Sequence, residues 1–343
     1  MTIQQGAGGL GDTPEAADYL GYALAAGRTA AGEPYLLIGA PGEDLGSATD
    51  AGIAHYIRGT YTATLSQGSG GIPGTAELDD RFGFSVAGSP SHIAVGAPGE
   101  SIGAATWAGA VDVFTHQVAF AIELHQDATG VSRTATSDDQ FGRAVALAAY
   151  RPPGATQVDS LLAVGAPGED NTVDSVLRED AGVVQRFHLT GTTMTELPAV
   201  TYESEDGDGF GERLLLVNTD PTAESTAQNL FLAVGTPGED RTAGLDTGVV
   251  RVFAAAANPV TAPVTVERAT GQLPGSPTVN ELLGLAIGGS GQYLYVASPY
   301  KSRTVYAIPW TAIAAGSAVP SLTWQSGQGG FPAGGVSFGA AIR

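Results

Sequence analysis

The sequence repeats two short motifs at a common spacing of about sixty residues. The first motif is Gly-Ala-Pro or a close variant at the end of an apolar run, and its prolines are Pro41, Pro98, Pro167, Pro237 and Pro299. The second is an aromatic residue or leucine followed by glycine, shortly after acidic residues, and it ends at Gly21, Gly83, Gly142, Gly211, Gly284 and Gly339. Two independent markers that share one period indicate that the chain is built from copies of one structural unit.

Each unit is expected to contain four β-strands. The second unit shows them as the runs FGFSVAG, IAVGA, AGAVDVF and AIELHQ, which are short, rich in β-branched and aromatic residues, and separated by turn residues. No stretch shows a sustained helical period. Four-stranded units repeated around an axis form a β-propeller, whereas solenoid units usually run about 20–45 residues. The sequence therefore predicts an all-β propeller of four-stranded blades, with almost no helix, as a single domain over residues 1–343.

Five complete repeats and a partial sixth blade are expected. The approximate bounds of the repeats are 19–81, 82–140, 141–209, 210–282 and 283–337. Segments 1–6 and 336–343 resemble strand four and strand one, and are expected to be closing strands. Strands two and three of that blade are missing, and an open sheet edge invites association. Three explanations stand: a blade reduced to two strands, a gap filled by a partner subunit or second copy, or a fragment of a six- or seven-bladed ring. The fragment is favoured, because Arg343 falls where another Gly-Ala-Pro strand is due.

The paired motifs, Phe-Gly followed by Gly-Ala-Pro, resemble the FG-GAP repeat of the integrin α-subunit N-terminal propeller and of secreted bacterial FG-GAP proteins. The resemblance covers nearly the whole chain and implies a propeller that binds its ligands on one loop face. Members of this family often carry a calcium loop, Asp-x-Asp-x-Asp-Gly, between strands one and two. The corresponding loops here, such as AGRTAAGEP and AGSPS, lack that spacing, so the family's calcium site is not carried over to any residue.

Composition excludes several classes of function. The net charge is −20 and the chain has a single lysine, which argues against nucleic-acid binding. Cysteine is absent, so there is neither a disulfide framework nor thiol chemistry. No apolar run reaches the length of about 18 residues that a transmembrane helix needs. The N-terminal MTIQQGAGG has no signal-peptide character. We expect an extracellular or cell-surface protein whose leader is absent from this chain, with a cytoplasmic location as the alternative.

The acidic residues concentrate in two sets of loops. Strands of a blade alternate in direction, so the loops between strands two and three share a face with the loops that connect successive blades. Most of the 35 acidic residues lie in these two sets, and the net charge of −20 is assigned to this face. Such a field favours cations or basic partners. The residues expected to contact a protein or glycan ligand there are Asp79, Asp80, Trp107, Asp138, Asp139, Asp206 and Asp208.

Repeats one, three and four share a finer pattern, Gly-Glu-Asp, a spacer, then Asp before Ala-Gly or Thr-Gly. Carboxylates together with loop carbonyl groups suit Ca²⁺, which takes six to eight oxygen ligands. The competing interpretation, which is favoured over calcium binding, is that each aspartate forms a hydrogen bond with the backbone of its own turn. The candidate metal ligands are Glu43, Asp44, Asp50, Glu169, Asp170, Asp180, Glu239, Asp240 and Asp246.

Three functions are compatible with these observations. The favoured one is a non-enzymatic adhesion or scaffold module that binds a protein or glycan through the acidic face. The second is a lyase or hydrolase that acts on polysaccharides through carboxylates at the propeller axis. The third is a structural assembly subunit. No Gly-x-Ser-x-Gly motif or Ser-His-Asp set is evident in the sequence, which favours the first over the second.

We predict that any calcium binds in the Gly-Glu-Asp loops of repeats one, three and four. Calorimetry of the combined variant Asp44→Ala, Asp170→Ala and Asp240→Ala should show that Ca²⁺ binding is lost, because each change removes one carboxylate from a three-acid loop. The same titration of Glu33→Gln, outside these loops, is the control. Unchanged binding in the triple variant would place the metal elsewhere.

Overall fold

The computed structural model of the protein describes residues 3–6, 10–203, 205–241, 244–269, 272–334 and 337–342. Its secondary structure is nearly all β. The chain forms two compact units. One consists of Met1–Ala149, Gln157–Ala166 and Arg186–Leu197, and the other of Tyr150–Thr156, Pro167–Gln185 and Pro198–Arg343.

Five four-stranded antiparallel sheets follow one another along the chain, each with its strands in sequence order. The first contains β1 (Leu24–Arg28), β2 (Pro34–Ala40), β3 (Ile53–Arg58) and β4 (Tyr61–Leu65). The second contains β5 (Ser85–Gly88), β6 (His92–Ala97), β7 (Ala110–Thr115) and β8 (Phe120–Leu124). The third contains β9 (Ala144–Tyr150), β10 (Asp159–Ala166), β13 (Val183–Thr190) and β14 (Thr193–Val200).

The fourth sheet contains β15 (Arg213–Asn218), β16 (Leu230–Thr236), β17 (Val249–Ala254) and β18 (Val264–Val266). The fifth contains β19 (Ile287–Gly289), β20 (Tyr293–Ser298), β21 (Thr304–Pro309) and β22 (Leu322–Gln325). A two-stranded hairpin, β11 (Asn171–Val173) and β12 (Val176–Arg178), and a five-residue helix, α1 (Trp310–Ala314), complete the elements. Sheets of this order are the blades of β-propellers, so the predicted fold class is confirmed.

The second strand is the most deeply buried one in the first four sheets, and in the fifth it is buried as deeply as the third strand. All six residues of β6 are buried, as are the last four of β2. Apolar side chains from the first two sheets form one core that includes Leu37, Tyr56 and Phe114. A second core joins the fourth and fifth sheets and takes in Trp310 of α1, whose indole N–H donates to the Ser290 carbonyl over 2.7 Å. The apolar runs of the sequence thus become blade interiors.

Four of the Phe-Gly turns are bonded through their backbone to the loop between strands two and three of the preceding sheet. Between the first two sheets, the amides of Asp79, Arg81 and Phe82 donate to the carbonyls of Thr49, Asp50 and Ala51 over 2.9, 3.0 and 2.8 Å. The same three bonds recur at three further places, with donors Asp138, Gln140 and Phe141, then Gly207, Gly209 and Phe210, then Asn280, Leu282 and Leu283. We call this arrangement the joint. It places the two acidic loop sets side by side, as expected.

The joint brings two glycines so close together that neither position has room for a side chain. A Cβ atom on Gly39, of the first Gly-Ala-Pro motif, would lie 1.9 Å from the carbonyl oxygen of Gly83 in the next Phe-Gly turn. Gly83 itself has φ near +90°, and a Cβ there would lie 2.2 Å from the Ile53 carbonyl oxygen. Both glycines of the repeated motifs are therefore required by a close backbone approach.

The terminal segments differ from the prediction. Within 1–6 and 336–343, residues 1, 2, 336 and 343 lie outside the described part, and residues 3–6 and 337–342 form turns and irregular backbone instead of strands. The Phe-Gly turn at Gly339 nevertheless packs on the fifth sheet, where an added Cβ would meet Val305 and Ala297 at 2.6 and 3.3 Å. The packing of the repeat persists there without a partner strand. The extent of the domain and of its repeats stays a prediction.

We predict that Gly109→Ala destabilises the protein much more than Gly103→Ala, although both glycines lie in the same loop with positive φ. An added Cβ on Gly103 meets no atom within 4 Å, so only the left-handed backbone counts, at about 1–2 kcal/mol. On Gly109 it would lie 2.1 Å from the Phe141 carbonyl oxygen in the joint, which adds about 3 kcal/mol. Urea unfolding of both variants measures this difference, and equal losses would contradict the role given to the joint.

Candidate functional site

Both loop sets bury carboxyl groups beside the joints. The loops that precede Phe-Gly contribute the buried acids Asp18, Asp80, Asp139, Asp208 and Glu281. The loops between strands two and three contribute Glu43, Glu100, Glu169 and Glu239. We call these residues the joint acids. Charged groups are rarely buried without a partner, so their hydrogen bonds decide whether they are structural or functional.

The aspartates among the joint acids bond the backbone of their own loops. Asp80 accepts the amide of Glu77 over 2.5 Å, Asp139 that of Thr136 over 2.6 Å, and Asp208 that of Glu205 over 2.7 Å. All three were expected to contact a ligand, and that expectation needs correction. They are at most 2% exposed because the joint covers them and their oxygens close a turn.

The other residues expected on the ligand face are accessible. Asp138 and Asp206 are exposed, and Asp79 is half-buried with Arg81 at 3.3 Å. Trp107 is half-buried, and the guanidinium carbon of Arg81 lies 4.6 Å from its ring centroid. The tryptophan is thus held by a neighbouring loop through a cation–π contact, which leaves part of its ring in solvent.

The candidate calcium loops form backbone bonds instead of a ligand set. In each loop the side chain of the first aspartate accepts a hydrogen bond from the backbone amide of the last. The acceptor and donor pairs are Asp44 and Asp50, Asp170 and Asp180, and Asp240 and Asp246, over 2.9, 2.9 and 2.8 Å. The glutamates beside them are the buried Glu43, Glu169 and Glu239. Among the described residues, no three His, Cys, Asp or Glu side chains come together as a metal-binding group. The geometry favours the turn interpretation, and calcium binding stays a prediction.

One buried position at the centre of strand three carries a different polar or aromatic residue in each sheet. It pairs with Ile38, Val95, Val234 and Val296 of the adjacent strand in four of the sheets. The residues at this position are His55, Asp112, Gln185, Arg251 and Tyr306. This position lies in the blade interior below the joint, so its identity sets the charge that the joint acids meet.

In repeat two this position adds a further carboxyl group. Asp112 is 3% exposed, pairs in register with Glu123, and its Oδ1 has no hydrogen-bond partner among the described residues. Burial, followed by the nearby Glu123 and Glu100, raises the pKa of Asp112 well above its usual value. Burial and the neighbouring Asp80 raise the pKa of Glu100 to about 7, although Gln67 donates to it over 2.6 Å. Burial also raises the pKa of Asp80 to about 6.

In repeat four the same position holds Arg251, whose side chain is fully buried. Its Nη2 lies 2.8 Å from a carboxylate oxygen of both Glu203 and Glu239. Arg241 adds a second guanidinium group, 2.7 Å from Glu239 and 2.7 Å from Glu267. Burial alone would raise the pKa of Glu203, but the two guanidinium groups outweigh it and hold that pKa below its usual value. The two guanidinium groups thus pair with the joint acid Glu239, although burial still raises its pKa.

A polar cavity of about 390 Å³ opens beside this network. Its lining residues are Glu203, Arg241, Thr265, Glu267, Arg268, Ala269 and Pro277. The guanidinium group of Arg268 is used within the protein, since it donates to Glu281 over 2.6 Å, to Ser302 over 2.7 Å and to the Pro274 carbonyl. The cationic groups that line the cavity are therefore already paired with acceptors of the protein.

Repeat three departs from the other repeats by the hairpin β11–β12, which is inserted between strands two and three. Asp174 and Ser175 at its tip both have positive φ, at 50° and 66°, as a two-residue type I′ turn requires. Val173, Val176 and Leu177 are 40%, 48% and 53% exposed. The insertion thus adds apolar surface to an otherwise acidic loop set.

Sequence reasoning missed both Arg251 and the hairpin as special features. A signal for each exists in the printed sequence. The arginine interrupts the apolar run TGVVRVF, and the segment between Gly-Glu-Asp and Asp-Ala-Gly is longer in repeat three than in repeat one. Neither signal says by itself that the arginine is buried among carboxylates or that the extra residues pair as strands.

Comparisons with known proteins do not add a family. No family model matches the chain, and no curated protein matches it. Among solved structures, a chain in the crystal structure of the mitotic checkpoint complex is similar, with 11% identity and a TM-score of 0.46 over 95% of this chain and 75% of that one. At this TM-score the fold rests on the strand pairing alone. The described residues contain no helix long and apolar enough to cross a membrane.

We predict that the protein loses stability as the pH rises from about 4 to 7. Joint acids with raised pKa values, about 7 for Glu43, Glu100 and Asp208, bind protons in the folded state that the unfolded chain has released. Their contribution is therefore complete below about pH 4 and lost as the pH passes through 7.

The variant Glu100→Gln should raise the free energy of unfolding at pH 8 by about 2 kcal/mol and flatten its pH dependence, because the amide keeps the bond from Gln67 without a buried charge. Thermal unfolding at pH 5 and pH 8 measures both effects. Asp138→Asn, at an exposed site in the same loop set, is the control. A Glu100→Gln protein with the wild-type pH slope would contradict this assignment.

Proposed function

We propose that the protein is a non-enzymatic binding module of the FG-GAP type, which recognises a protein ligand through the exposed acids of its joint loops. The observation that carries this proposal is that neighbouring acids in those loops differ in burial. Of each neighbouring pair, one acid is buried and bonded to the backbone, as Asp80, Asp139 and Asp208 are. The other stays in solvent, as Asp138 and Asp206 do. The exposed acids lie in solvent, where a ligand can reach them.

The rigidity of the loops supports a binding role. Three backbone hydrogen bonds per joint fix both loop sets, so their exposed carboxylates are held in place before a ligand arrives. Binding then orders few groups, which lowers its entropic cost. An acidic surface of this kind favours a basic partner and speeds its association at low ionic strength.

The apolar side chains on the hairpin favour a protein over a glycan as ligand. Aliphatic residues such as Val176 and Leu177 bury well against protein surfaces, whereas sugars are held by aromatic platforms and polar groups. A glycan remains the second candidate, because the half-buried ring of Trp107 lies on the same loop set.

An enzymatic role has less support. The paired joint acids recur in repeats one to four, and catalysis at one site would call for one repeat to differ. Repeats four and five pair their acids with arginine, as Glu239 with Arg251 and Glu281 with Arg268 show, and repeat two, which adds Asp112, buries that carboxyl group. Turnover on a polysaccharide panel that a single acid substitution abolishes would favour the lyase or hydrolase alternative. We place the protein outside the cell or at its surface, in keeping with the FG-GAP proposal.

A screen of immobilised proteins and glycans, run with and without Ca²⁺, tests this proposal. The ligand found should bind the variant Asp44→Asn, Asp138→Asn and Asp206→Asn at least about tenfold more weakly, since three exposed charges are lost while amide oxygens keep the turn bonds. The matched control, Glu33→Gln, Asp220→Asn and Glu224→Gln, removes the same charge from exposed residues between strands one and two. Equal weakening in both variants, or binding of no ligand at all, would count against the proposal.

A further inference from the structure

We propose that the hairpin β11–β12 docks the partner protein by pairing with one of its strands, and that this strand alternates apolar side chains with lysine or arginine. The inference rests on the proposed function and specifies the element and the partner chemistry. Its first support is the topology. The hairpin is a separate two-stranded sheet, so within the described part of the chain both of its strands are edge strands. Edge strands present backbone groups on which another strand can pair.

The side chains of the hairpin show that neither face is covered by the protein itself. Val173 and Val176 are cross-strand partners and share one face, and Thr172 and Leu177 share the other. All four residues are exposed. An isolated two-stranded hairpin is marginally stable in water, and exposed valine and leucine do not add to that stability. Their burial against a partner strand explains why these residue types stand here.

The hairpin has few of the usual protections against edge pairing apart from the shortness of its two three-residue strands. Natural edge strands are also blunted by lysine, proline or bulges. The segment NTVDSVLR has neither lysine nor proline, and its three residue pairs are in regular register. Its single basic residue, Arg178, lies 4.0 Å from Asp206. The edge is therefore left open to an incoming strand.

The base of the hairpin is fixed, which suits a docking element. The side-chain amide of the buried Asn171 donates to the Gly182 carbonyl over 2.7 Å, next to the joint. Asp170 accepts the amide of Asp180 over 2.9 Å and closes the loop across the hairpin. Both bonds hold the hairpin in one place on the joint, so strand addition needs little reordering.

Charge determines the chemistry of the partner. The exposed acids Asp170, Asp174, Glu179 and Asp180 flank the two short strands. A partner strand with lysine or arginine between its apolar residues would pair with Asp174 and Glu179 and cover the valines at the same time. A second copy of this chain, with its net charge of −20, is disfavoured by repulsion.

The test uses a displayed library of random twelve-residue peptides, selected on the intact protein. Enriched peptides should alternate apolar and basic residues, and the consensus peptide should bind in fluorescence anisotropy with an affinity that falls at least about tenfold from 50 to 500 mM salt. N-methylation of alternate amides in that peptide should abolish binding, because strand pairing uses those N–H groups. The two alternate sets of amides are methylated in separate peptides. Binding that survives both methylations would overturn the strand-pairing inference.

Two variants locate the binding on the hairpin. The first variant combines Val173→Thr, Val176→Thr and Leu177→Thr. It places β-branched threonine at all three positions while removing apolar surface, and its affinity for the consensus peptide should fall at least about tenfold. Its control is Val319→Thr, which changes a valine that is 47% exposed elsewhere. The second replaces residues 169–180 by EDLGSATD, the loop of repeat one, and should abolish binding while the unfolding temperature stays unchanged.

The outcomes separate this inference from the function on which it rests. Peptides that bind the loop-graft protein as well as the wild type overturn the role of the hairpin. A library that yields no peptide, or acidic ones, overturns the partner chemistry. In either case a protein ligand from the screen that still depends on Asp44, Asp138 and Asp206 leaves the proposed binding function standing.

Discussion

The rest of this structure depends on the backbone contact between a Phe-Gly turn and the preceding sheet, which recurs four times among the described residues. It consists of three hydrogen bonds and the close approach of two glycines, such as Gly39 and Gly83. Loop backbone that is buried needs partners for its N–H and C=O groups, and here each loop supplies them to its neighbour. A sheet with apolar residues on both faces needs a second sheet on each side, and the joint sets the position of the next one. The two motifs of the sequence are the two halves of this contact.

The joint has an electrostatic consequence. The acidic loops of both sets lie beside it and bury carboxyl groups, so like charges come close together where water is excluded. Repeat one bonds Glu43 to Gln5, and repeat four surrounds Glu239 with Arg241 and Arg251. Repeat two adds Asp112 and supplies no cation, and burial, followed by the neighbouring carboxylates, raises the pKa values of Asp112 and Glu100. Exclusion of water strengthens both attraction and repulsion between charged groups. The residue at the centre of strand three therefore affects the pKa values of the carboxyl groups near it.

Regularity and departure have different roles in the molecule. The joints repeat because each pair of sheets faces the same packing problem. The hairpin of repeat three solves no packing problem, since Val173, Val176 and Leu177 lie in solvent. Loops on a rigid scaffold are where proteins place their binding residues. The hairpin, anchored through Asn171 at one joint, combines both conditions: it is fixed at its base and open at its edges.

The sequence by itself determined the strand content, the strand order and the two motifs that join the blades, because these depend on residues close together in the chain and on a period that repeats. It did not determine which acid of a pair is buried. Asp79 and Asp80 are adjacent and chemically equal, yet only Asp80 is enclosed, where its carbonyl accepts the amide of Gly99 from the loop between strands two and three. Likewise, the partners of Arg251 are Glu203 and Glu239, which lie on two different loops. Burial and charge pairing are properties of distant residues brought together, and only the tertiary structure decided them.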